Sequence, residues 1–402
     1  MARQEANGHT RNKVNVFSRG LHIACAALLT VTVGLGLSAE AYAQFKTKAK
    51  YAILVDVDTN SVLFEKDADE LMPPASMSKL MTLAMIFRAL KDGRLSLDDE
   101  FTVSVNAWRT GGAPSGTSAM FAPLNTSVTL NDLLQGIIVQ SGNDASIIVA
   151  EGMSGTEEEF SELMTKYARK IGLKKSTFRN STGLPHPDHL MTARDLATLS
   201  IYLIKEFPDF YPMFKQREFK YRRHRFYNRN PLVFSGFADG LKTGFISASG
   251  YGITASATSR GQRLVAVVNG LKTKRERQSE ARKLLEWGFR SFKQWKLFDA
   301  NETVGEALVW GGEKRYVPLV GKGDVHILLP RTSNRRIRAS IVYQGPLKPP
   351  IKKGDQVAIL RVVTPQQTTN EVPLYAAEDI GSSGIVKRGL ESLLHLAFGW
   401  IL

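Results

Sequence analysis

Pro73-Pro74-Ala75-Ser76-Met77-Ser78-Lys79-Leu80-Met81-Thr82 is the stretch around which the chain is organised. The two prolines stiffen the approach and disfavour helix up to Ala75. A helix is therefore predicted to begin near Ser76, to run through Leu80, Leu83, Met85, Ile86 and Leu90, and to close at Asp92-Gly93. One helical turn separates Ser76 from Lys79 and puts an amine on the same face as a hydroxyl. A nucleophile beside its base is one reading of that pair. The other is a serine that caps the helix, its oxygen bonded to a backbone N–H.

Before this stretch, Tyr51–Val57 and Val62–Phe64 are β-type runs flanking the turn residues Asp58-Thr59-Asn60-Ser61, which reads as a hairpin. After it, Asn131–Ala150 has helical spacing in Leu133, Leu134, Ile137 and Ile138, broken by Gln140-Ser141-Gly142-Asn143-Asp144, and a second helical pattern starts after Gly142. Ser141 and Asn143 are thus expected in a polar turn between two buried helices. Helical patterns continue over Glu157–Ile171 and Thr192–Ile204, where Thr192-Ala193-Arg194-Asp195 looks like a capped start. Strands resume at Gly240-Leu241-Lys242-Thr243-Gly244-Phe245, Tyr251–Ala257 and Arg263–Asn269, and an amphipathic helix over Arg275–Phe292 closes the segment. The order implies an α+β domain whose antiparallel sheet draws on both ends of residues 44–293.

From about Trp295 the pattern changes to short strands, among them Val325–Leu329, Ile337–Tyr343, Val357–Val363 and Val372–Tyr375, separated by Gly, Pro and Lys turns. A small all-β domain is expected over residues 294–381. The last residues, 382–402, differ again: Val386, Leu390, Leu393, Leu394, Ala397 and Ile401 make one apolar face, with Lys387, Arg388 and Glu391 away from it. That pattern suits a helix lying in a membrane interface.

The chain has 402 residues and a formal charge of +15, which raises nucleic acid, anionic lipid or an acidic polymer as partners. The N-terminus chooses between them. Arg3, Arg11, Lys13 and Arg19 precede an apolar run from Leu21 to Leu37, and Ala41-Tyr42-Ala43 offers a small-x-small cleavage site, so residues 1–43 read as an export signal. Removing them takes away four basic and two acidic residues and leaves +13. The only cysteine, Cys25, goes with the signal, so neither an internal disulfide nor a cysteine nucleophile is expected in the mature chain. For an exported protein, wall polymer or anionic lipid comes before nucleic acid. His186 and His189 lie in one loop without an evident third ligand, and no metal or cofactor is expected.

Three motifs now stand in order: Ser76-x-x-Lys79, Ser141-Gly142-Asn143 and Lys242-Thr243-Gly244. Each is weak alone. Together they resemble the signature set of the penicillin-recognising serine acyl-transferases. Pro-Ala-Ser-Met-Ser-Lys, Gln-Ser-Gly-Asn-Asp-Ala, Thr-Ala-Arg-Asp and Asp-Gly-Leu-Lys-Thr-Gly are similar to the low-molecular-mass penicillin-binding proteins that act as D-alanyl-D-alanine carboxypeptidases. The resemblance covers nearly the whole chain, and it implies a penicillin-binding-protein/β-lactamase-like catalytic domain followed by the β-rich domain and an amphipathic anchor. It implies that Ser76 attacks the carbonyl between the terminal D-alanines of a peptidoglycan stem peptide, with Lys79 as base and the charge of Lys242 helping to keep Lys79 neutral. Ser141 would relay a proton to the leaving amine and Asn143 would hold Lys79 and the substrate amide. Lys242 and Thr243 would meet the substrate carboxylate, Gly244 would let the substrate backbone come close, and the N–H groups of Ser76 and Phe245 would form the oxyanion hole. Arg277 matches by position a carboxylate-contacting arginine of the family; a solvated helix charge is its other reading. β-Lactams would acylate Ser76, and the place of action would be the periplasmic face of the inner membrane.

Two other readings share these features. A β-lactamase carries the same three motifs but is usually a single soluble domain, and the glutamate that activates deacylating water in one class has no evident counterpart here. A non-catalytic wall-binding protein would keep the fold, and the intact Ser76, Lys79, Ser141 and Lys242 argue against it.

Overall fold

A computed structural model describes residues 45–331, 338–363 and 369–384. The expected export signal and the amphipathic helix over 385–402 lie outside the described residues.

β1 (Tyr51–Asp56) and β2 (Val62–Lys66) form the expected hairpin, and a short 3-10 turn over Ala75–Ser78 leads into α1 (Lys79–Lys91). Two short strands, β3 (Glu100–Thr102) and β4 (Ser127–Thr129), pair across the next loop. α2 (Leu130–Gln135), α3 (Asn143–Ser154), α4 (Glu157–Lys170) and α5 (Ala193–Glu206) make the helical middle. A hairpin of β5 (Glu218–Tyr221) and β6 (His224–Tyr227) and one turn of α6 (Pro231–Phe234) follow. The chain then returns through β7 (Gly240–Ile246), β8 (Gly250–Ser259), β9 (Gln262–Leu271) and α7 (Lys274–Ser291).

The main sheet has the order β2-β1-β9-β8-β7 and is antiparallel, so the first and last strands of this region meet at its centre. Side chains alternate across a strand. Ile53 and Val55 of β1 join one core with the helical middle, while Ala52 and Leu54 join a second core under α7, and all six residues of β1 are buried. A sheet covered on both faces is held rigidly, and β7 at its edge presents a fixed rail to the Ser76 turn, with no further strand on its outer side among the described residues.

Beyond α7, β10 (Phe292–Phe298) pairs with β13 (Val325–Pro330). β11 (Thr303–Leu308), β12 (Tyr316–Val320), β14 (Arg338–Val342), β15 (Gln356–Val363) and β16 (Thr369–Ala376) form a second sheet of order β11-β12-β16-β15-β14 over a third core. This is the all-β part foreseen from sequence. Gln294 fastens it to the first sheet, donating through Nε2 to both Asp56 carboxylate oxygens at 3.1 Å and to Asp58 at 2.9 Å.

The helix start differs from expectation. Ser76 lies inside the 3-10 turn, the α-helix begins only at Lys79, and no side chain caps either element. Ala75 is held at φ +49°, a conformation that forces the chain to turn sharply before the helix can begin. Close packing enforces it. A Cβ on Gly244 would lie 2.8 Å from the Pro74 carbonyl oxygen and 3.1 Å from the Ala75 Cβ, and one on Gly183 would lie 2.0 Å from the Ala75 carbonyl oxygen. The close approach at Gly244 lies between β7 and the Ser76 turn, so the glycine that the resemblance assigns to substrate contact also has a packing role within the protein. Thr192 caps α5 as foreseen, accepting from Asp195 N at 3.0 Å. The buried Asp195 carboxylate in turn accepts from the N–H groups of Lys174, Lys175 and Ser176 and from Ser176 Oγ at 2.7–3.1 Å, which ties down the approach to the loop at 180–183.

Gly244→Ala is expected to push the Ser76 turn off β7, at a cost of about 1–3 kcal/mol of stability as in other overpacked sites. Acylation should fall by more than the lost stability explains, as measured by covalent adduct mass at a temperature where the variant remains folded. Asp195→Ala leaves several buried donors without an acceptor, and urea denaturation should show a loss of about 2–4 kcal/mol at unchanged m-value.

Candidate active site

Lys79 is the centre of the site. It is the first residue of α1 and is completely buried, yet its amine has three acceptors. Nζ donates to Ser76 Oγ at 3.1 Å, to Asn143 Oδ1 at 2.6 Å and to the Thr182 carbonyl oxygen. The 3-10 turn supplies the first, the start of α3 the second, and the 180–183 loop the third. Three segments far apart in sequence thus converge on one amine. Ser76 alone in its turn is partly exposed, while Ala75, Met77 and Ser78 are buried, so the hydroxyl that Lys79 touches is also the one that a substrate can reach.

Burial pushes the Lys79 amine down to about 7, because a charged ammonium loses its water there. The charges of Glu157 and Asp144 oppose this and that of Arg229 assists it. Lys242, also buried, is held well below the ordinary lysine range, first by burial and then by the charges of Lys79, Arg229 and Arg277. Desolvation is thus what brings Lys79 toward neutrality, and the repulsion between the two lysines is felt at Lys242.

Asn143 is oriented from both sides. Its Nδ2 donates to Thr117 Oγ1 at 2.9 Å and its backbone N–H to the Ser118 carbonyl at 2.7 Å. That leaves Oδ1 to Lys79. Ser141, two residues ahead, sits at φ +63° where a wide π-type turn over Gly136–Gln140 ends. Its Oγ is buried and has no hydrogen-bond partner among the described residues. A buried hydroxyl left free in this way is a group waiting for a partner.

The opposite wall is β7. Lys242 and Gly244 are two residues apart and share the face that meets the Ser76 turn. Phe245 is half exposed and its ring stacks on Tyr251 at 4.2 Å, and the guanidinium of Arg277 lies over the same Tyr251 ring, 5.7 Å from its centre. Arg277 is buried, its Nε has no partner among the described residues, and burial lowers it to about 10. A desolvated cation without a counter-charge favours an incoming anion. The solvated-charge reading of Arg277 is excluded by this burial.

Sequence reasoning missed three participants. The Thr182 carbonyl has no side-chain signature. Glu157 Oε1 accepts from Ser181 N at 2.9 Å and Ser181 Oγ at 2.6 Å, and so fixes the loop that carries that carbonyl, though in sequence it reads only as an acidic helix start. Arg229 donates from Nη1 to Ser118 Oγ at 2.8 Å, and its charge is felt at Lys79, Lys242 and Arg277, but no motif surrounds it.

Comparison with known proteins agrees with this geometry. The D-alanyl-D-alanine carboxypeptidase family, peptidase S11, matches residues 38–273, and the penicillin-binding protein 5 C-terminal domain matches residues 292–382. D-alanyl-D-alanine carboxypeptidase DacC of Escherichia coli is 39% identical over 341 residues, which is 84% of this chain and 85% of the relative. The crystal structure of penicillin binding protein 5 from Haemophilus influenzae superposes with a TM-score of 0.76 at 32% identity, covering 84% of this chain and 98% of that one. Penicillin-binding protein D2 of Listeria monocytogenes in its ampicillin-bound form gives a TM-score of 0.53 at 27% identity over 61% of this chain and 98% of that one. By these matches over both its parts, the chain belongs to the D-alanyl-D-alanine carboxypeptidase family of serine peptidases.

Proposed function

We propose that this serine-type D-alanyl-D-alanine carboxypeptidase removes the terminal D-alanine of peptidoglycan stem peptides through an acyl-enzyme on Ser76. The observation that carries the assignment is the buried amine of Lys79, 3.1 Å from Ser76 Oγ and lowered to about 7. Neutral Lys79 takes the Ser76 proton as Oγ attacks the carbonyl carbon between the two D-alanines. The oxyanion forms against the backbone N–H groups of Ser76, on its 3-10 turn, and Phe245, on the edge strand. The C–N bond then breaks, the free Ser141 hydroxyl passes its proton to the leaving amine and takes in turn the proton held by Lys79, and D-alanine departs. Water attacks the ester as the again neutral Lys79 accepts its proton, the bond to Oγ breaks, and Lys79 returns that proton to Ser76 Oγ.

The carboxylate of the terminal D-alanine is read by Lys242, Thr243 and Arg277. Lys242 and Arg277 are buried cations with lowered proton affinity, and a carboxylate arriving between them supplies the counter-charge they lack. This selects a chain end over an internal peptide bond. A β-lactam places its ring amide where the scissile bond lies and acylates the same serine, a reading supported by the ampicillin-bound relative. The catalytic part is assigned to residues 44–293 and the β-rich part to 294–381, the latter acting as a spacer. Among the described residues no helix is long and apolar enough to cross a membrane. The reading assigns the enzyme to the periplasmic face of the inner membrane, supported by the signal-like sequence over 1–43 and the apolar stripe over 385–402.

Incubation of the protein with a D-alanyl-D-alanine-ended peptide and with penicillin tests the reading. D-alanine release with a long-lived penicilloyl adduct is expected; rapid penicillin turnover would make it a β-lactamase, and absence of both signals a wall-binding protein. Ser76→Ala should abolish release and adduct together, and persistence of either sinks the nucleophile assignment. Because the base must be neutral, the acylation rate should rise with pH through a midpoint near 7, the value of the Lys79 amine. Lys79→Arg keeps a permanent charge at that point, and the rate should drop by about 10²–10⁴-fold with the pH step near 7 removed.

A further inference from the structure

Two segments that build the catalytic cleft meet again outside it. The loop over 112–123 starts from the Asn143 turn: Ser118 and Thr117 accept from Asn143, and Asp144 accepts from the N–H groups of Met120 at 2.9 Å and Ala122 at 3.2 Å. Beyond those anchors the loop turns Phe121 outward, with φ +64° and the ring 38% exposed. The β5–β6 hairpin ends next to Arg229, which is bonded to Ser118. At its other end His224 lies against Phe121, ring centres 4.8 Å apart. Trp108, Ala113, Phe121, Arg222, Arg223 and His224 line a cavity of about 490 Å³ between the two segments.

The turn of this hairpin is unusual for its geometry. Tyr221 pairs with His224, so Arg222-Arg223 is a two-residue loop, and Arg222 sits at φ +51°. With φ positive at the first central residue only, the loop calls for glycine there, as in Gly-Asn, and arginine does not relieve the strain. Among the described residues neither arginine has a carboxylate partner, whereas Arg225 on the same hairpin pairs with Glu218 at 3.9 Å. A strained, unpaired double charge beside an apolar wall breaks the local rule in the way that functional positions do.

We propose that this groove binds the acidic part of the substrate chain upstream of the scissile bond, its carboxylates against Arg222 and Arg223 and its aliphatic portion against Trp108 and Phe121. The proposal rests on the carboxypeptidase reading. Spacing supports the occupant: His224 opens β6 and Arg229 follows two residues beyond its end, a reach of at most roughly 16–18 Å, which about five residues of an extended peptide can match. Both walls of the groove are continuous with the elements that hold Asn143 and Arg229, so a peptide seated at Ser76 leads into it.

The test compares two N-acetylated pentapeptides ending in D-alanyl-D-alanine, one with free side-chain carboxylates upstream and one with those groups amidated, on the full chain and on the Arg222→Gly, Arg223→Asn double variant. That pair of substitutions installs residues the turn prefers, so the melting temperature should be unchanged or higher and a lost effect is not unfolding. The full chain should show a kcat/KM about 10-fold higher for the acidic peptide at low salt, shrinking at high salt, and the double variant should lose that preference while keeping its rate on the amidated one. A preference that is absent from the full chain, survives in the variant, or vanishes through equal loss on both peptides overturns the groove. If the full chain releases D-alanine from neither peptide, the carboxypeptidase reading fails instead. The groove is then judged by fluorescence anisotropy of the same peptides on Ser76→Ala: tighter binding of the acidic peptide that the double variant abolishes supports it, and equal binding overturns it.

Discussion

A lysine amine buried without a carboxylate partner is the constraint on which the rest of this structure depends. Removing Lys79 from water would be prohibitive for an isolated charge, and the protein meets that cost by lowering the amine to about 7 and surrounding it with three oxygen acceptors. Each acceptor comes from a different segment. The 3-10 turn at Ser76, the α3 start at Asn143 and the loop carbonyl at Thr182 must all be held within hydrogen-bond reach of one atom. The supporting contacts follow from this. Glu157 fixes the Ser181–Thr182 loop, Thr117 and Ser118 orient Asn143, and Gly183 and Gly244 admit the close packing that shapes the Ser76 turn.

The same arrangement explains why the site is electrostatically unbalanced. Lys242 and Arg277 are buried nearby, Arg229 adds a third charge, and the carboxylates that Lys79 feels are fixed by other bonds: Glu157 by Ser181 and Asp144 by backbone N–H groups. An excess of poorly solvated cations in a cleft destabilises the free enzyme and favours an anionic ligand. In the proposed mechanism, substrate binding relieves what folding leaves unresolved, and the preference for a free C-terminal carboxylate follows from that imbalance.

Much of the fold was legible because periodicity and caps are local. The Tyr51–Val57 hairpin, the capped start at Thr192, the helix from about Arg275 and several strands beyond Trp295 lie within a few residues of where the pattern put them. β10, β11 and β12 were not foreseen, since short half-buried strands such as Phe292–Phe298 carry little alternation and gain their order from pairing with distant partners. The helix at Ser76 was placed one turn early. Nothing in Ala75-Ser76-Met77 signals a 3-10 turn; packing against Gly183 and Gly244, more than a hundred residues away, imposes it.

The sequence by itself determined the chemistry available: Ser76 and Lys79 one turn apart, Ser141 and Asn143 in a polar turn, and Lys242-Thr243-Gly244 on a strand, because spacing along a helix or strand follows from backbone geometry alone. Tertiary structure decided what those groups become. It buried Lys79 and so gave it the proton affinity of a base, left the Ser141 hydroxyl without a partner, and brought in Thr182, Glu157 and Arg229, which no motif marks. Desolvation and convergence are properties of three-dimensional packing, and a linear pattern carries neither.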